Sequence, residues 1–154
     1  MKELTCCFTG HRIISNAETE RLEKQLYVEV ESLINKGILY FGCGGALGFD
    51  MLAAETVIKL RQKYDNIRLI LVLPCRQQDK YWKKNEKERY LKIIDCADKV
   101  IFTSEQYFSG CMQKRNRHLV DHSSVCIAYM RKNTGGTAYT VDYARNCGAE
   151  LILV

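Results

Sequence analysis

Proline and tryptophan are scarce in this sequence, and long apolar runs are missing. Pro74 and Trp82 are the only residues of their types among 154. No run of about 18 apolar residues occurs, so no membrane-spanning helix is predicted. The first residues, MKELTCCFTGHR, contain one lysine and an apolar run too short for a signal peptide, and they predict a first strand instead. We therefore expect a cytoplasmic protein without a membrane partner.

Cysteine is frequent, but its spacing does not predict a metal centre. None of the eight cysteines forms a C-x-x-C pair, so no zinc or other metal site is expected, and no cofactor is predicted. Several lie in predicted strands or helices, where cysteine packs as a small apolar residue. Cys43, beside a glycine-rich stretch, is assigned to packing. Without an export signal, the thiols are expected to be reduced.

Composition and charge predict a globular domain that is moderately basic. Hydrophobic residues make up 47% and charged residues 27%, which argues against disorder. A length of 154 residues fits one domain covering residues 1–154. The formal net charge of +5 is compatible with an anionic ligand but too small to indicate nucleic-acid binding by itself. The basic segment 80–89 is interpreted as a solvated helix face.

Strand-like and helix-like segments alternate along the whole chain. Predicted strands cover 4–8, 38–42, 67–74, 99–104, 124–130 and 150–154. The first helix is predicted from a capping box of Ser15 and Glu18, and later helices at 50–64, 83–95, around KRNRHLV and at 135–148. Strands that are apolar on both faces and separated by helices indicate a parallel sheet. The predicted fold is therefore α/β, a doubly wound, mostly parallel Rossmann-like sheet with helices on both faces.

This fold places ligands beyond the carboxyl ends of the strands, near the point where the strand order reverses. The segment FGCGGALGFDMLAAE follows the second predicted strand and contains four of the ten glycines within residues 42–48. It matches neither a dinucleotide fingerprint nor a P-loop. We expect Gly44, Gly45 and Gly48 to let an anion approach the helix N-terminus. Asp50 is expected to cap that helix, to bind a ligand hydroxyl, or to do both.

Three other loops add candidate ligand-binding residues. After the first strand come Gly10, His11 and Arg12, where arginine suits phosphate and histidine could donate a hydrogen bond, act in acid–base chemistry or bind backbone. Arg115 and Arg117 are two residues apart on a predicted helix, so they point about 200° apart and at most one easily reaches the cleft, together with Asn116. The last helix begins with a second potential anion site, formed by Gly135, Gly136 and Thr137. This set predicts a phosphorylated, nucleotide-like small molecule as ligand.

Four motifs in this order carry a family resemblance: CCFTGHR, GGALGFDMLAAE, CMQKRNRHLVD and GGTAYTVDYA. Over essentially the whole chain, the sequence resembles the SLOG superfamily, and most closely its YpsA-like small bacterial proteins. That superfamily also includes the DprA/Smf DNA-processing proteins and the LOG phosphoribohydrolases. The resemblance implies a Rossmann-like domain that senses or binds a nucleotide-derived ligand, and it makes a homodimer an option. The LOG pattern is incomplete, because Thr140 and Asp142 follow the glycines and that turn contains no glutamate.

Three functions stay open at this point. The first is a nucleotide-binding or sensing domain without turnover. The second is an N-glycosidic or phosphoribosyl hydrolase that uses Asp50, Glu55 or Asp142. The third is single-stranded nucleic-acid binding through Lys114, Arg115, Arg117, the 80–89 segment and Tyr81 or Trp82. Trp82 is expected to pack as an anchor rather than to stack on bases.

Overall fold

A computed structural model describes all 154 residues. Six parallel strands form one sheet. A short 3-10 helix, Lys2–Leu4, precedes the first strand. The strands are β1 (Thr5–Gly10), β2 (Tyr40–Cys43), β3 (Arg68–Leu73), β4 (Lys99–Phe102), β5 (Val125–Tyr129) and β6 (Glu150–Leu153). The helices are α1 (Asn16–Asn35), α2 (Phe49–Arg61), α3 (Lys84–Cys96), α4 (Cys111–Asp121) and α5 (Gly136–Asn146). The predicted order of elements is confirmed, with boundaries that differ by a few residues.

The strand order is β4-β3-β2-β1-β5-β6. Strands β2, β3 and β4 follow one another on one side of β1, and β5 and β6 lie on its other side. All neighbouring strands pair in parallel, with Cys7 opposite Gly42 on β2 and opposite Cys126 on β5. The predicted doubly wound, Rossmann-like α/β fold is confirmed. The order reverses between β1 and β5, which is where such sheets open a ligand crevice.

The two faces of the sheet are covered unequally. A core of 27 buried residues joins side chains of α1, α2 and α3 to one face, whereas α4 and α5 pack over a cluster of only six buried residues on the other. The apolar residues that share one face of α1 are all buried: Leu22, Leu26, Val30, Leu33 and Ile34. No helix combines the length and the apolar character that a membrane crossing requires.

Half of the capping box predicted for α1 is absent. Ser15 caps the helix as expected, because the Glu18 amide donates to Ser15 Oγ at 3.2 Å. The Glu18 carboxylate does not accept a hydrogen bond from the Ser15 amide. It binds Arg21 at 2.8 Å and Arg131 at 3.3 Å instead. Two arginines therefore outcompete one backbone amide for the same carboxylate, since charge-assisted hydrogen bonds are the stronger ones.

The cysteines are all free thiols, and most of them pack in the interior. Six are buried, Cys43 among them, while Cys96 and Cys147 are exposed. Burial raises the pKa of the Cys43 thiol well above its ordinary value. A thiol held neutral in this way behaves as an apolar side chain, in agreement with the packing role predicted for it.

Candidate functional site

A cleft of about 250 Å³ opens where the strand order reverses. It is bounded by the end of β1, the loop before α2, the first turns of α4 and the start of α5. Eight of the predicted site residues line it: Gly10, His11, Arg12, Asp50, Arg115, Asn116, Gly136 and Thr137. Gly44 and Gly45 are buried and do not line it, Gly48 lines a neighbouring groove, and Gly135 is the residue before α5. The four predicted loops therefore meet, but not every glycine in them faces the cleft.

The glycines of segment 42–48 are enclosed by the protein itself. Gly48 has a φ of 77°, and a Cβ added there would collide with the Arg12 carbonyl. At Gly44 an added Cβ would lie 2.7 Å from Arg115 Nη1 and 2.8 Å from Asp50 Oδ2. At Gly45, where φ is 68°, it would lie 2.6 Å from Leu73. Close packing and left-handed backbone thus account for these three glycines, and a ligand contact for them stays a prediction.

The N-terminus of α2 is closed by the loop that follows β1. The Phe49 amide donates to the His11 carbonyl at 3.1 Å, so one of the first amides of the helix already has a partner. Gly48, not Asp50, is the N-cap residue, and the predicted capping role of Asp50 was wrong. Asp50 instead accepts from the Ala46 amide at 3.2 Å through Oδ2, which holds the glycine-rich loop against the helix.

Asp50 and Arg115 form a buried pair of opposite charges around Gly44. Their side chains are 7% and 3% exposed, respectively. Burial raises the pKa of Asp50, while Arg115 and the Ala46 amide oppose that shift. Burial likewise lowers the pKa of Arg115, and the nearby Asp50 carboxylate opposes it. Asp50 lines the cleft and its Oδ1 has no protein partner, so this oxygen can accept a hydrogen bond from a ligand.

Arg115 is held by hydrogen-bond acceptors on three sides. It donates to the Gly44 carbonyl, its Nε donates to Asn116 Oδ1 at 2.8 Å, and its Nη2 lies 3.8 Å from Met112 Sδ. Arg117 points to the outside, where it donates to the Tyr139 hydroxyl at 3.0 Å. The prediction that at most one of these two arginines reaches the cleft is confirmed.

His11 links the ends of β1 and β5. Its Nε2 accepts from the Arg131 amide at 2.7 Å, which requires an unprotonated Nε2 and leaves the proton on Nδ1, 3.4 Å from Thr137 Oγ1. Burial lowers the pKa of His11, and the charges of Lys132 and Arg131 lower it further. The neutral ring is thus engaged at both nitrogens, which favours the backbone-binding alternative over proton exchange with a ligand.

The start of α5 is open, in contrast to the start of α2. Gly135, with a φ of 95°, is an N-cap residue without a side-chain cap. A Cβ at Gly135 or at Gly136 would meet no atom within 4 Å. The Arg12 guanidinium lines the same cleft, is exposed and makes no hydrogen bond or ion pair within the protein. An uncapped helix N-terminus beside an unpaired arginine favours an anion at this position.

Asp50 is the one predicted catalytic carboxylate that lies at the cleft. Glu55 is bound by Arg89 at 2.9 Å and 2.5 Å on the outer side of α2. Asp142 is 73% exposed and lies 3.5 Å from Arg145. Hydrolysis with a pair of carboxylates would need a second acid within reach of the same ligand. The geometry therefore offers the predicted hydrolase only a single carboxylate.

Three residues that line the cleft were not predicted from the sequence, namely Thr9, Ala46 and Met112. Thr9 carried a signal, because it is a polar residue at the end of an apolar strand. Ala46 contributes its backbone amide, so its side chain gives no signal in the sequence. Met112 is an apolar residue in the first turn of α4, and nothing in the sequence marks it as a cleft residue. Trp82 is half-buried against Tyr90, with ring centroids 5.0 Å apart, which confirms its predicted packing role.

The parallel sheet and its cleft define a Rossmann-like domain with a cleft at the reversal point. The YpsA family model, described as the YspA SLOG family, matches residues 7–150, and the chain belongs to this family. The SPbeta prophage-derived protein YoqJ of Bacillus subtilis is 31% identical over 145 residues, which cover 86% of this chain and 85% of YoqJ. The UPF0398 protein BH1768 of Halalkalibacterium halodurans is 29% identical over 127 residues, 80% of this chain and 67% of that protein. The predicted SLOG membership is confirmed.

Two solved structures share the fold. One is DNA processing protein A from Helicobacter pylori, whose structure is described for its single-stranded DNA binding mode. It superposes with a TM-score of 0.69 at 18% identity. DprA from Streptococcus pneumoniae superposes with a TM-score of 0.66, also at 18% identity. The superpositions cover 99% of this chain but only 65% and 50% of those two chains. At this identity the likeness shows the fold alone.

Proposed function

We propose that this protein binds or senses a nucleotide or a nucleotide-derived ligand that contains phosphate and ribose. One observation carries the proposal: the unpaired Arg12 and the uncapped, sterically open start of α5 face the same cleft. A phosphate at this position receives backbone amides, the positive end of the helix dipole and a guanidinium together. Membership of the SLOG family and the place of the cleft at the reversal point support the same reading.

The charges and acceptors of the cleft suit the two parts of such a ligand. Arg12 and Arg115 bring two positive charges against the single carboxylate of Asp50, because His11 is neutral. The excess positive charge favours the phosphate. Asp50 Oδ1 is an unused acceptor next to it and suits a ribose hydroxyl, which needs an acceptor once it leaves water.

Isothermal titration and thermal shift with AMP, NAD and ADP-ribose test the proposal. We expect Arg12→Ala to weaken binding of the recognised nucleotide by about tenfold, since a charge-assisted hydrogen bond contributes about 1.5 kcal/mol or more. Gly136→Ala places a methyl group in the open approach and is expected to weaken binding without unfolding the protein. Arg117→Ala is the matched control, because it removes the same charge outside the cleft. No binding of any nucleotide, or equal losses for Arg12→Ala and Arg117→Ala, would contradict the proposal.

Single-stranded nucleic-acid binding is a second candidate, favoured by the fold shared with the DNA-binding protein from Helicobacter pylori. Tyr81 is 88% exposed, and Lys114 lies at the same edge of the sheet, 3.3 Å from Ser104. Exposed aromatic and basic side chains bind unpaired bases and backbone, respectively. Fluorescence anisotropy with a labelled oligonucleotide at rising salt is the test. Binding that falls steeply with salt supports this candidate, and absence of binding at low salt removes it.

A further inference from the structure

A larger groove of about 870 Å³ adjoins the cleft on the β3 and β4 side. It lies between the segments 74–83 and 103–110, which follow the carboxyl ends of those two strands. Met112 lines both the groove and the cleft, so the two cavities meet at the first turn of α4. The groove therefore continues the path of any ligand that extends out of the cleft in this direction.

The cleft alone is too small for a whole nucleotide. Its volume of about 250 Å³ lies below the lower end, about 300 Å³, of pockets that enclose small organic ligands. The phosphate and ribose fill such a space. The base must then occupy a neighbouring cavity, and the groove next to Met112 offers the room.

The groove is lined by the side chains that recognise bases in other proteins. Tyr81 and Tyr107 are 88% and 72% exposed. Lys80 Nζ lies 5.4 Å from the centroid of the Tyr81 ring, so Tyr81 offers its opposite face to a planar ligand, and Tyr107 offers a second ring. Gln77 and Gln106 add two exposed amides, each able to donate and to accept at the edge of a base. Large exposed aromatic rings next to amides mark a binding surface rather than a packed core.

Gln78 supplies a buried acceptor that has no partner. Its Nε2 donates to the Gly45 carbonyl at 3.3 Å and to the Tyr90 hydroxyl at 3.0 Å. The Gly45 carbonyl can only accept, so the amide cannot be turned round, and Oε1 is left as a buried oxygen without a hydrogen bond. Gln78 lies on a turn segment outside the helices and strands and lines the groove, so this unpartnered acceptor belongs to the wall of the groove.

The groove on the opposite side of the cleft is less suited to a base. It shares Arg12 with the cleft and is lined by Ile13, Ile14 and Leu47. Its Arg89 is paired with Glu55, and its Glu86 accepts from the Lys83 amide at 2.8 Å. No aromatic ring lines it, and none of its buried acceptors lacks a partner.

We propose that the groove lined by Tyr81, Tyr107 and Gln78 binds the base of the nucleotide whose phosphate and ribose occupy the cleft. The inference rests on the proposed function and specifies its ligand as a 5′-phosphorylated nucleotide whose base carries an amino or N–H donor. Tyr81 and Tyr107 stack on the base, and Gln78 Oε1 accepts from its donor. The same chemistry is presented by a free nucleotide and by the 5′ end of a nucleic-acid strand.

Calorimetric titration with ribose 5-phosphate, AMP and purine ribonucleoside 5′-monophosphate, which lacks the amino group, separates the parts of the site. We expect AMP to bind at least about tenfold more tightly than ribose 5-phosphate, since stacking on one aromatic side chain accounts for about a tenfold effect or more. The affinity of the amino-free analogue should lie between the two, because it stacks but has no amino group to donate to Gln78 Oε1. The double variant Tyr81→Ala, Tyr107→Ala should lose about tenfold for AMP and nothing for ribose 5-phosphate. Tyr139→Ala, another exposed tyrosine outside the groove, is the matched control.

The outcomes distinguish this inference from the proposed function. If neither ribose 5-phosphate nor AMP binds, the proposed function fails. If ribose 5-phosphate binds but AMP gains nothing over it, or the double variant behaves like Tyr139→Ala, the base groove is refuted while the cleft stands. If a 5′-phosphorylated adenine dinucleotide binds more tightly than AMP, the ligand of the groove is the 5′ end of a nucleic-acid strand. If the two bind equally, the ligand is a free nucleotide. Either result upholds the groove.

Discussion

The glycine-rich segments 42–48 and 135–136 both join the carboxyl end of a strand to the start of a helix, and they are surrounded very differently. Around Gly44, Gly45 and Gly48 an added Cβ would meet side chains or backbone at or below 2.8 Å. Around Gly135 and Gly136 it would meet nothing within 4 Å. The same residue type therefore serves close packing of the protein in one loop and leaves room for a ligand in the other.

His11 connects these two regions. Its carbonyl accepts from the Phe49 amide and so closes the start of α2, while its imidazole accepts from the Arg131 amide beside the start of α5. One residue thus holds the closed wall and the open wall of the cleft at a fixed separation. Such links reduce the freedom of both loops, and donors that are already ordered bind a ligand at a lower entropic cost.

The largest expected effect is the replacement of Gly48 by alanine. Its Cβ would collide with the Arg12 carbonyl at a backbone conformation that alanine rarely adopts, so we expect a loss of about 3 kcal/mol or more in the free energy of unfolding. Gly136→Ala should change that free energy by less than about 0.5 kcal/mol, as at an open surface position. Urea unfolding followed by circular dichroism measures both. Equal midpoints for the two variants would abolish the contrast between the loops.

A smaller effect is expected when the buried arginine of the closed wall is removed. Arg115→Met leaves the Gly44 carbonyl and Asp50 without their cationic partner, and should cost about 2 kcal/mol. Arg117→Met is the control on the same helix, with an expected change within about 0.5 kcal/mol. Chemical denaturation of the two proteins side by side gives the difference. A similar stability for both would mean that Arg115 does not support the closed loop.

The smallest effect concerns the link through His11 and its dependence on pH. Burial and two neighbouring cations lower the pKa of folded His11 below its unfolded value of about 6.5. Its contribution to stability is therefore complete above pH 6.5, and is lost as the pH falls through the folded pKa. We expect His11→Ala to cost about 1 kcal/mol at pH 8 and clearly less at pH 5.

Measuring unfolding at both pH values for the parent and for His11→Ala checks this prediction. His118→Ala is the comparison, since its pKa is also lowered by burial and by His122, but it lies far from the cleft on α4. A cost for His11→Ala that stays constant between pH 5 and pH 8 would show that the imidazole link does not require the neutral ring.

Much of the fold could be predicted because its signals are local. The apolar runs of β3 and β5, the spacing of Leu22, Leu26 and Val30, and the turn residues between them are read within a few positions of the chain. That eight of the candidate residues line one cleft could be predicted for a related reason, since the carboxyl ends of parallel strands meet at one edge of the sheet. Even the divergence of Arg115 and Arg117 follows from helical geometry alone.

The sequence by itself thus determined the parallel α/β architecture and the edge of the sheet at which the cleft opens. Only the tertiary structure decided which glycines are enclosed, that Asp50 holds Ala46 instead of capping α2, and that His11 is neutral. These properties depend on partners far away in the chain, such as Arg115 against Gly44 at 71 residues and Arg131 against His11 at 120. A local pattern cannot encode such contacts, because they exist only once the sheet has brought its loops together.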